Sequence, residues 1–170
     1  MYLWYNDKGM EQFDKTGFER VRYMKKVVIN IVVTVVLICF SFLIAAPIVN
    51  DHMAKKTAKE LADLPLPNNT ELLESVYKAG KLVGNGNGMQ YFGAILIKSE
   101  LSLEELQEYY SEFADSEWQC IVENQIDTEI RILEHTRLTF ETDIEGDHYY
   151  IVYSWGENHT IYHELDLRGH

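Results

Sequence analysis

The longest unbroken pattern along the chain is a block of 23 apolar or uncharged residues, "VVINIVVTVVLICFSFLIAAPIV", at positions 27–49. Only Asn30, Thr34 and Ser41 interrupt it with polar side chains. As a helix it reaches about 34 Å, enough to cross a hydrocarbon core of roughly 30 Å with some tilt. Its many β-branched residues form helices poorly in water. In lipid the backbone must satisfy its own hydrogen bonds, so the helix forms there regardless. A buried core helix is the competing reading, but so long a run without charge points to a transmembrane span.

After the span the pattern changes period. Residues 50–69, "NDHMAKKTAKELADLPLPNN", begin helix-friendly and stop at Pro65 and Pro67. Residues before proline are pushed toward extended backbone, so "LPLP" reads as a stiff spacer. From Thr70 onward, "TELLESVYKAGKLV" and "MQYFGAILIKS" read as two strands separated by Asn85-Gly86 and Asn87-Gly88. Asn-Gly is a hairpin signal because both residues tolerate the positive φ of a type I′ turn. "LSLEELQEYYSEF" then predicts a helix. Ser102 stands as N-cap with Glu105 three residues on, and Leu101 and Leu106 are placed as a hydrophobic staple. Leu103, Leu106, Tyr109, Tyr110 and Phe113 recur at three- and four-residue spacing, giving an apolar face that must lie on something.

Three further strands are expected from alternating apolar positions: "WQCIVEN" from Trp118, "IRILEHTRLTFE" from Ile130 and "HYYIVYSW" from His148. "TIYHELDL" is a sixth, edge-strand candidate. Short connections favour antiparallel pairing. The expected fold is therefore α+β: an N-terminal transmembrane helix, then a two-layer domain with a five- or six-stranded antiparallel sheet and one helix packed on it (β-β-α-β-β-β). The expected organisation is a cytoplasmic tail at 1–26, the span at 27–49, a juxtamembrane segment and spacer at 50–69, and an extracytoplasmic domain at 70–170.

Charge sharpens this division. Residues 1–26 hold six basic and four acidic side chains, whereas everything from Asp51 onward holds nine basic and 23 acidic ones. A domain so acidic repels the nucleic-acid backbone, which excludes nucleic acid as an expected partner. Lys15, Arg20, Arg22, Lys25 and Lys26 precede the span, and Lys55, Lys56 and Lys59 follow it. This basic excess predicts the N-terminus inside and the domain outside. A cleaved signal peptide is disfavoured by the length of the apolar run, by Ile44 near the candidate cleavage site and by Pro47 after it. Ile38 before Cys39, deep in the run, disfavours lipoprotein processing. An uncleaved signal anchor fits better. Trp4, Phe13, Phe18 and Tyr23 in the tail suit a membrane interface. Cys39 lies in the span and Cys120 is alone in the domain, so the domain is expected to lack an internal disulfide.

Each candidate chemical motif also has a simpler reading. The glycine-rich stretch 80–94 fails the P-loop pattern, since Asn85 follows Gly84, and fails the dinucleotide fingerprint, since Tyr91 stands where a third glycine belongs. Glu104, Glu108 and Glu112 are four apart, which suits a solvated helix face more than a metal. His159 and His163 would chelate zinc on a helix, but "HTIYH" is strand-like, and there the pair would lie about 13 Å apart. His135 and His148 are isolated. Asp143, Glu145 and Asp147 lack the length and terminal glutamate of an EF-hand loop. Ser154 lacks the first glycine of a nucleophile elbow, with Val152 in that place, and Cys120 reads as a buried, inert strand residue. No catalytic, cofactor-binding or metal-ligating residue is therefore assigned. Tyr91, Tyr109, Tyr110, Tyr149, Tyr150, Tyr153 and Tyr162 leave two readings open, cross-strand packing or an exposed aromatic recognition face.

The residues from "LPLPNNTEL" through "AGKLVGNGNGMQYFGAILIKSELSLEELQEYY" resemble small single-pass membrane proteins of unknown function from Gram-positive bacteria. "SLEELQEYYSEFADSEW" is similar to the helix-then-Trp-strand segment of small envelope and lipoprotein domains. The resemblance covers about a third of the chain. It implies an envelope location and an α+β fold, and brings no catalytic residues. The expected function is a membrane-anchored binding or scaffolding module, held by the lipid bilayer at residues 27–49 and working through a protein or envelope polymer. A transmembrane sensor is the alternative, which would need residues 1–23 where a tether would not. An envelope hydrolase is a more distant one.

Overall fold

A computed structural model of the chain describes residues 7–114, 118–156 and 160–170, with side chains from residue 18 onward. The described residues form an α+β protein with one long apolar helix near the N-terminus and a four-stranded antiparallel sheet. By its contacts the chain divides into two compact units, Met1–Ser41 and Phe42–His170.

In the first unit the described side chains all lie on helix α1 (Asp7–Ala62), and all are exposed, Phe18 and Tyr23 included. Trp4 and Phe13 fall outside the described side chains. An 18-residue window of α1 reaches a mean hydropathy of 3.0, and none of it is buried. Ser41 turns its hydroxyl back to donate to the Ile38 carbonyl at 2.7 Å, which satisfies a polar group on an apolar surface.

In the second unit α1 continues to Ala62, and its character changes. Ala46, Asn50, Ala54, Thr57, Ala58 and Leu61 are buried at three- and four-residue spacing, one stripe of the helix. Residues 50–62, expected as the helix-friendly part of the juxtamembrane segment, thus bury one stripe of α1 in this unit. Small side chains on this stripe let the helix backbone approach the sheet closely. The sheet responds with glycine: a Cβ placed on Gly93 would lie 2.3 Å from the Ala58 backbone nitrogen, and one on Gly156 would lie 2.2 Å from Thr57 Oγ1.

The sheet contains β1 (Thr70–Gly80), β2 (Gln90–Ser99), β3 (Ile121–Asn124) and β4 (Tyr149–Gly156) in the order β1-β2-β4-β3, each pair antiparallel. β2 is central and buried from Tyr91 through Ile97, because both faces are covered. On one face Ile95 and Ile97, with Tyr150, Val152 and Val122 of neighbouring strands, pack against Leu61 of α1 and against Leu106 and Tyr110 of α2 (Leu103–Ser111). On the other, Phe92, Ala94, Leu96, Ile151 and Tyr153 pack under Leu82, Ile130, Leu133 and Phe140.

The sheet has four strands among the described residues, not five or six. The alternation at Ile130, Ile132, Leu138 and Phe140 does mark a segment with a buried side, but not a strand. Residues 125–148 fold over the sheet as an irregular cover with a single bridge, Glu129 to Thr139. Ile130 N donates to Leu138 O at 3.0 Å, Phe140 N to Thr128 O at 2.9 Å, and the Gln125 amide to the Asp127 and Glu129 carbonyls. "TIYHELDL" is likewise no edge strand. It forms a short helix, α3 (Ile161–Leu165), and a 3₁₀ turn at Leu167–Gly169. The expectation of a single helix on the sheet is also corrected, since the end of α1 and α2 share one face.

The capped helix is as expected. Glu105 N donates to Ser102 Oγ at 3.2 Å, Ser102 N donates to Glu105 Oε2 at 2.8 Å, and Leu101 packs against the cluster that contains buried Leu106. The β1–β2 connection differs from the expected type I′ turn. It spans residues 81–89, and the positive φ values fall at Gly84 (73°) and Gly88 (142°), on neither Asn85 nor Asn87. Gln90 closes the loop instead, its side-chain oxygen accepting from Leu82 N at 2.7 Å and Val83 N at 2.8 Å.

These contacts give a direct contrast between two glycines. Gly93→Ala forces the helix off the sheet and is expected to cost about 3 kcal/mol or more. Gly86 has nothing within 4 Å of an added Cβ, so Gly86→Ala is expected to stay within about 0.5 kcal/mol of the parent. Urea unfolding of the detergent-solubilised chain measures both; equal stability of the Gly93→Ala protein and the parent contradicts the packing described.

Candidate functional site

The most concentrated polar chemistry lies where α1, β2 and residues 160–170 meet. Asn50, fully buried on α1, uses every polar atom of its side chain. Its amide donates to the Tyr162 carbonyl at 3.0 Å and to Asp166 Oδ2 at 2.9 Å, and its oxygen accepts from the Tyr91 hydroxyl at 2.9 Å. Asp166, 1% exposed, also accepts from the Arg168 backbone N–H at 3.1 Å and from the Arg168 guanidinium, with Nη2 at 2.8 Å from Oδ2. Arg168 reaches on to Asp51 Oδ1 at 2.8 Å and to the Pro47 carbonyl at 3.0 Å.

The local sequence explains this placement. Tyr91 is the second residue of β2, and by the alternation of the strand its ring shares the helix-covered face with Gly93 and Ile95. Lys81 N donates to Arg168 O at 2.8 Å and Gly88 N to Gly169 O at 2.6 Å, so the glycine-rich loop holds the 3₁₀ turn by its backbone. His163 donates from Nε2 to the Met89 carbonyl at 3.0 Å and stacks edge-on near Tyr91.

Burial by itself would raise the Asp166 carboxyl. Hydrogen bonds from Arg168 and Asn50, with the Arg168 charge, outweigh it and hold the group below its ordinary 3.8. Burial, and then the Asp166 charge, raise the Tyr91 hydroxyl above 10.0. The carboxylate is therefore ionised at neutral pH with its acceptor sites occupied. A group so committed is a clamp and not a general base, since it offers no free lone pair to a substrate.

The candidate residues of the sequence are dispersed in the structure. Glu104 and Glu108 are exposed on α2 and Glu112 at its C-cap, and Asp143, Glu145 and Asp147 are exposed around the turn at Gly146. His159 lies outside the described residues, and His163 stands on helix α3 and not on a strand. His135 donates to the Gly84 carbonyl at 2.7 Å, beside the Glu134 carboxylate that accepts from Gly84 N at 2.9 Å. Among the described residues no three His, Cys, Asp or Glu side chains are grouped to hold a metal. Ser154 is fully buried in β4 opposite Gly93, out of reach of any outside substrate. Burial pushes the Cys120 thiol up to about 11, away from the thiolate a nucleophile needs. Tyr91, Tyr110, Tyr150 and Tyr153 are all buried, on both faces of the sheet, which resolves the tyrosine question in favour of packing for these four.

A second feature is an open cleft of ≈ 680 Å³ along β1, between residues 73–77 and 138–142. Among the described residues β1 is an edge strand, paired with β2 alone. Glu74 spans the cleft, its carboxylate accepting from Glu141 N at 3.0 and 2.9 Å and from Thr142 N at 2.9 Å. Neither the clamp nor the cleft was legible in the sequence. Asn50, Asp166 and Arg168 carry no motif spacing, and only the buried stripe on α1 would have drawn attention to the first of them. Scans against protein-family models, the curated proteins and the solved structures find no match to the chain.

The clamp has a pH signature. A carboxyl whose pKa is lower in the folded state stabilises the fold above its unfolded value, and that contribution is lost as pH falls through the folded value. Asp166→Asn is expected to lower stability at pH 7 by about 2 kcal/mol and to flatten the decline between pH 5 and pH 2. Urea midpoints across that range test it; a variant curve parallel to the parent's contradicts the ionised clamp.

Proposed function

We propose that the protein is a single-pass, membrane-anchored binding or scaffolding module of a bacterial cell envelope, with its α+β domain outside and its N-terminal residues in the cytoplasm. The observation that carries this reading is the exposed apolar surface of α1. From Val27 to Ile44 each described side chain is exposed, and no charged residue occurs among them. Leaving that surface in water is costly at roughly 25 cal/mol per Å² of apolar area, and a bilayer removes the cost.

The excess of Lys and Arg before the span supports the orientation. The cleft beside edge strand β1 supports the binding role, because an edge with one side unpaired and an open recess alongside suits an extended segment of a partner. The resemblance to single-pass proteins of Gram-positive bacteria agrees with an envelope location.

Topology is the direct test. Asn85 is exposed in the 81–89 loop at an ordinary backbone angle. In a Cys120→Ser background, Asn85→Cys is expected to react with a membrane-impermeant thiol reagent on intact cells. Reaction only after lysis overturns the orientation.

A further inference from the structure

Two aliphatic side chains on residues 160–170 are strongly exposed, Ile161 at 64% and Leu167 at 80%. They belong to α3 and the 3₁₀ turn, which are held against one level of α1. The Tyr162 ring lies 6.1 Å from the Phe42 ring, the Tyr162 carbonyl accepts from Asn50, and Arg168 donates to the Pro47 carbonyl. Phe42 stands seven residues before Val49, about 10 Å back along the helix into the apolar run. Pro47 is two residues before it. The segment is thus held beside the last two turns of the run, where Ile44 and Ile48 are themselves 56% and 68% exposed.

We infer that residues 160–170 form a second membrane contact, lying in the interfacial zone of the bilayer beside the end of the span. The inference rests on the reading of residues 27–49 as a membrane span. The chemistry fits that zone. Tyr162 presents an amphipathic ring of the kind favoured at headgroup depth, and Ile161 and Leu167 supply apolar surface for the acyl boundary. Arg168, the cation of the segment, has its charge met by Asp166 and Asp51, so it enters the zone paired. Glu164 and His170 are exposed and need the aqueous side. The Asn50–Asp166–Arg168 clamp sets how the segment is presented to lipid, which gives a buried polar network a role at the membrane.

The test uses the full chain in vesicles of phosphatidylcholine and phosphatidylglycerol, with Cys39 and Cys120 replaced by serine. A nitrobenzoxadiazole probe is attached in turn at Leu167→Cys, Ile44→Cys and Glu108→Cys. Glu108 is exposed on α2, which packs at Leu61 and Pro65, twelve or more residues beyond Val49. Phospholipids carrying a nitroxide near the headgroup end of the acyl chain are the quencher. Loss of emission at residues 44 and 167, with residue 108 unaffected, is expected. If residue 44 is quenched and residue 167 behaves like residue 108, the interfacial contact is overturned and the span stands. If residue 44 is also unquenched, the span reading itself fails, and the inference with it.

Discussion

Everything in the domain is arranged around the contact between the end of α1 and the centre of β2. A helix backbone can lie on a sheet only where no side chain intervenes, and Gly93 removes the one that would. Gly156 does the same beneath Thr57, and Ser154, paired with Gly93 across the strands, is small enough to lie under the helix. Small residues on the helix, Ala54, Thr57 and Ala58, complete the fit. This mutual smallness gives dense packing with little apolar side-chain area, so dispersion between well-fitted backbones does much of what larger side chains do elsewhere in the core.

Other features follow from that contact. With α1 seated, β2 is covered on its helix face, and α2 needs only to extend the same layer through Leu106 and Tyr110. The opposite face is left to residues 125–148, whose apolar side chains meet it without forming a ladder. At the other end of the contact, the helix presents Asn50 beside Tyr91, and the clamp to Asp166 and Arg168 is built on that meeting. A buried Asn with every polar atom matched is costly to misplace, because each lost partner leaves an unsatisfied group. The clamp therefore fixes the position of residues 160–170 along α1 as well as holding them.

Much of this was legible in the sequence where local rules govern. The apolar run announces itself by length, and α2 by the Ser102–Glu105 pair and its apolar spacing. The strands β1, β2, β3 and β4 stand near where alternation and β-branched content put them. Tertiary terms decided the rest. The packing of residues 50–62 was not legible because Ala, Thr and Asn contribute little to a hydrophobic pattern, although Asn50, Ala54, Thr57 and Ala58 are all buried. Gly93 looked incidental, since its value is space and not an unusual backbone angle. The alternation at 130–140 is real but serves a cover over a face, which an alternating pattern cannot distinguish from a paired strand. Ile161 and Tyr162 favour a strand by propensity, yet they stand in a helical turn, with His163 N donating to Thr160 O and Asn50 donating to the Tyr162 carbonyl. The clamp residues stayed hidden because 116 positions separate Asn50 from Asp166.

The last turns of α1 pack on the sheet as core and are not a tether. Comparing urea unfolding of fragments 42–170 and 68–170 tests this most directly, followed by circular dichroism and by binding of a hydrophobic dye. A single cooperative transition is expected for 42–170. No cooperative transition and strong dye binding are expected for 68–170, whose sheet would be bare at Gly93 and Ile95. Cooperative unfolding of 68–170 at the same midpoint as 42–170 would contradict that role of α1.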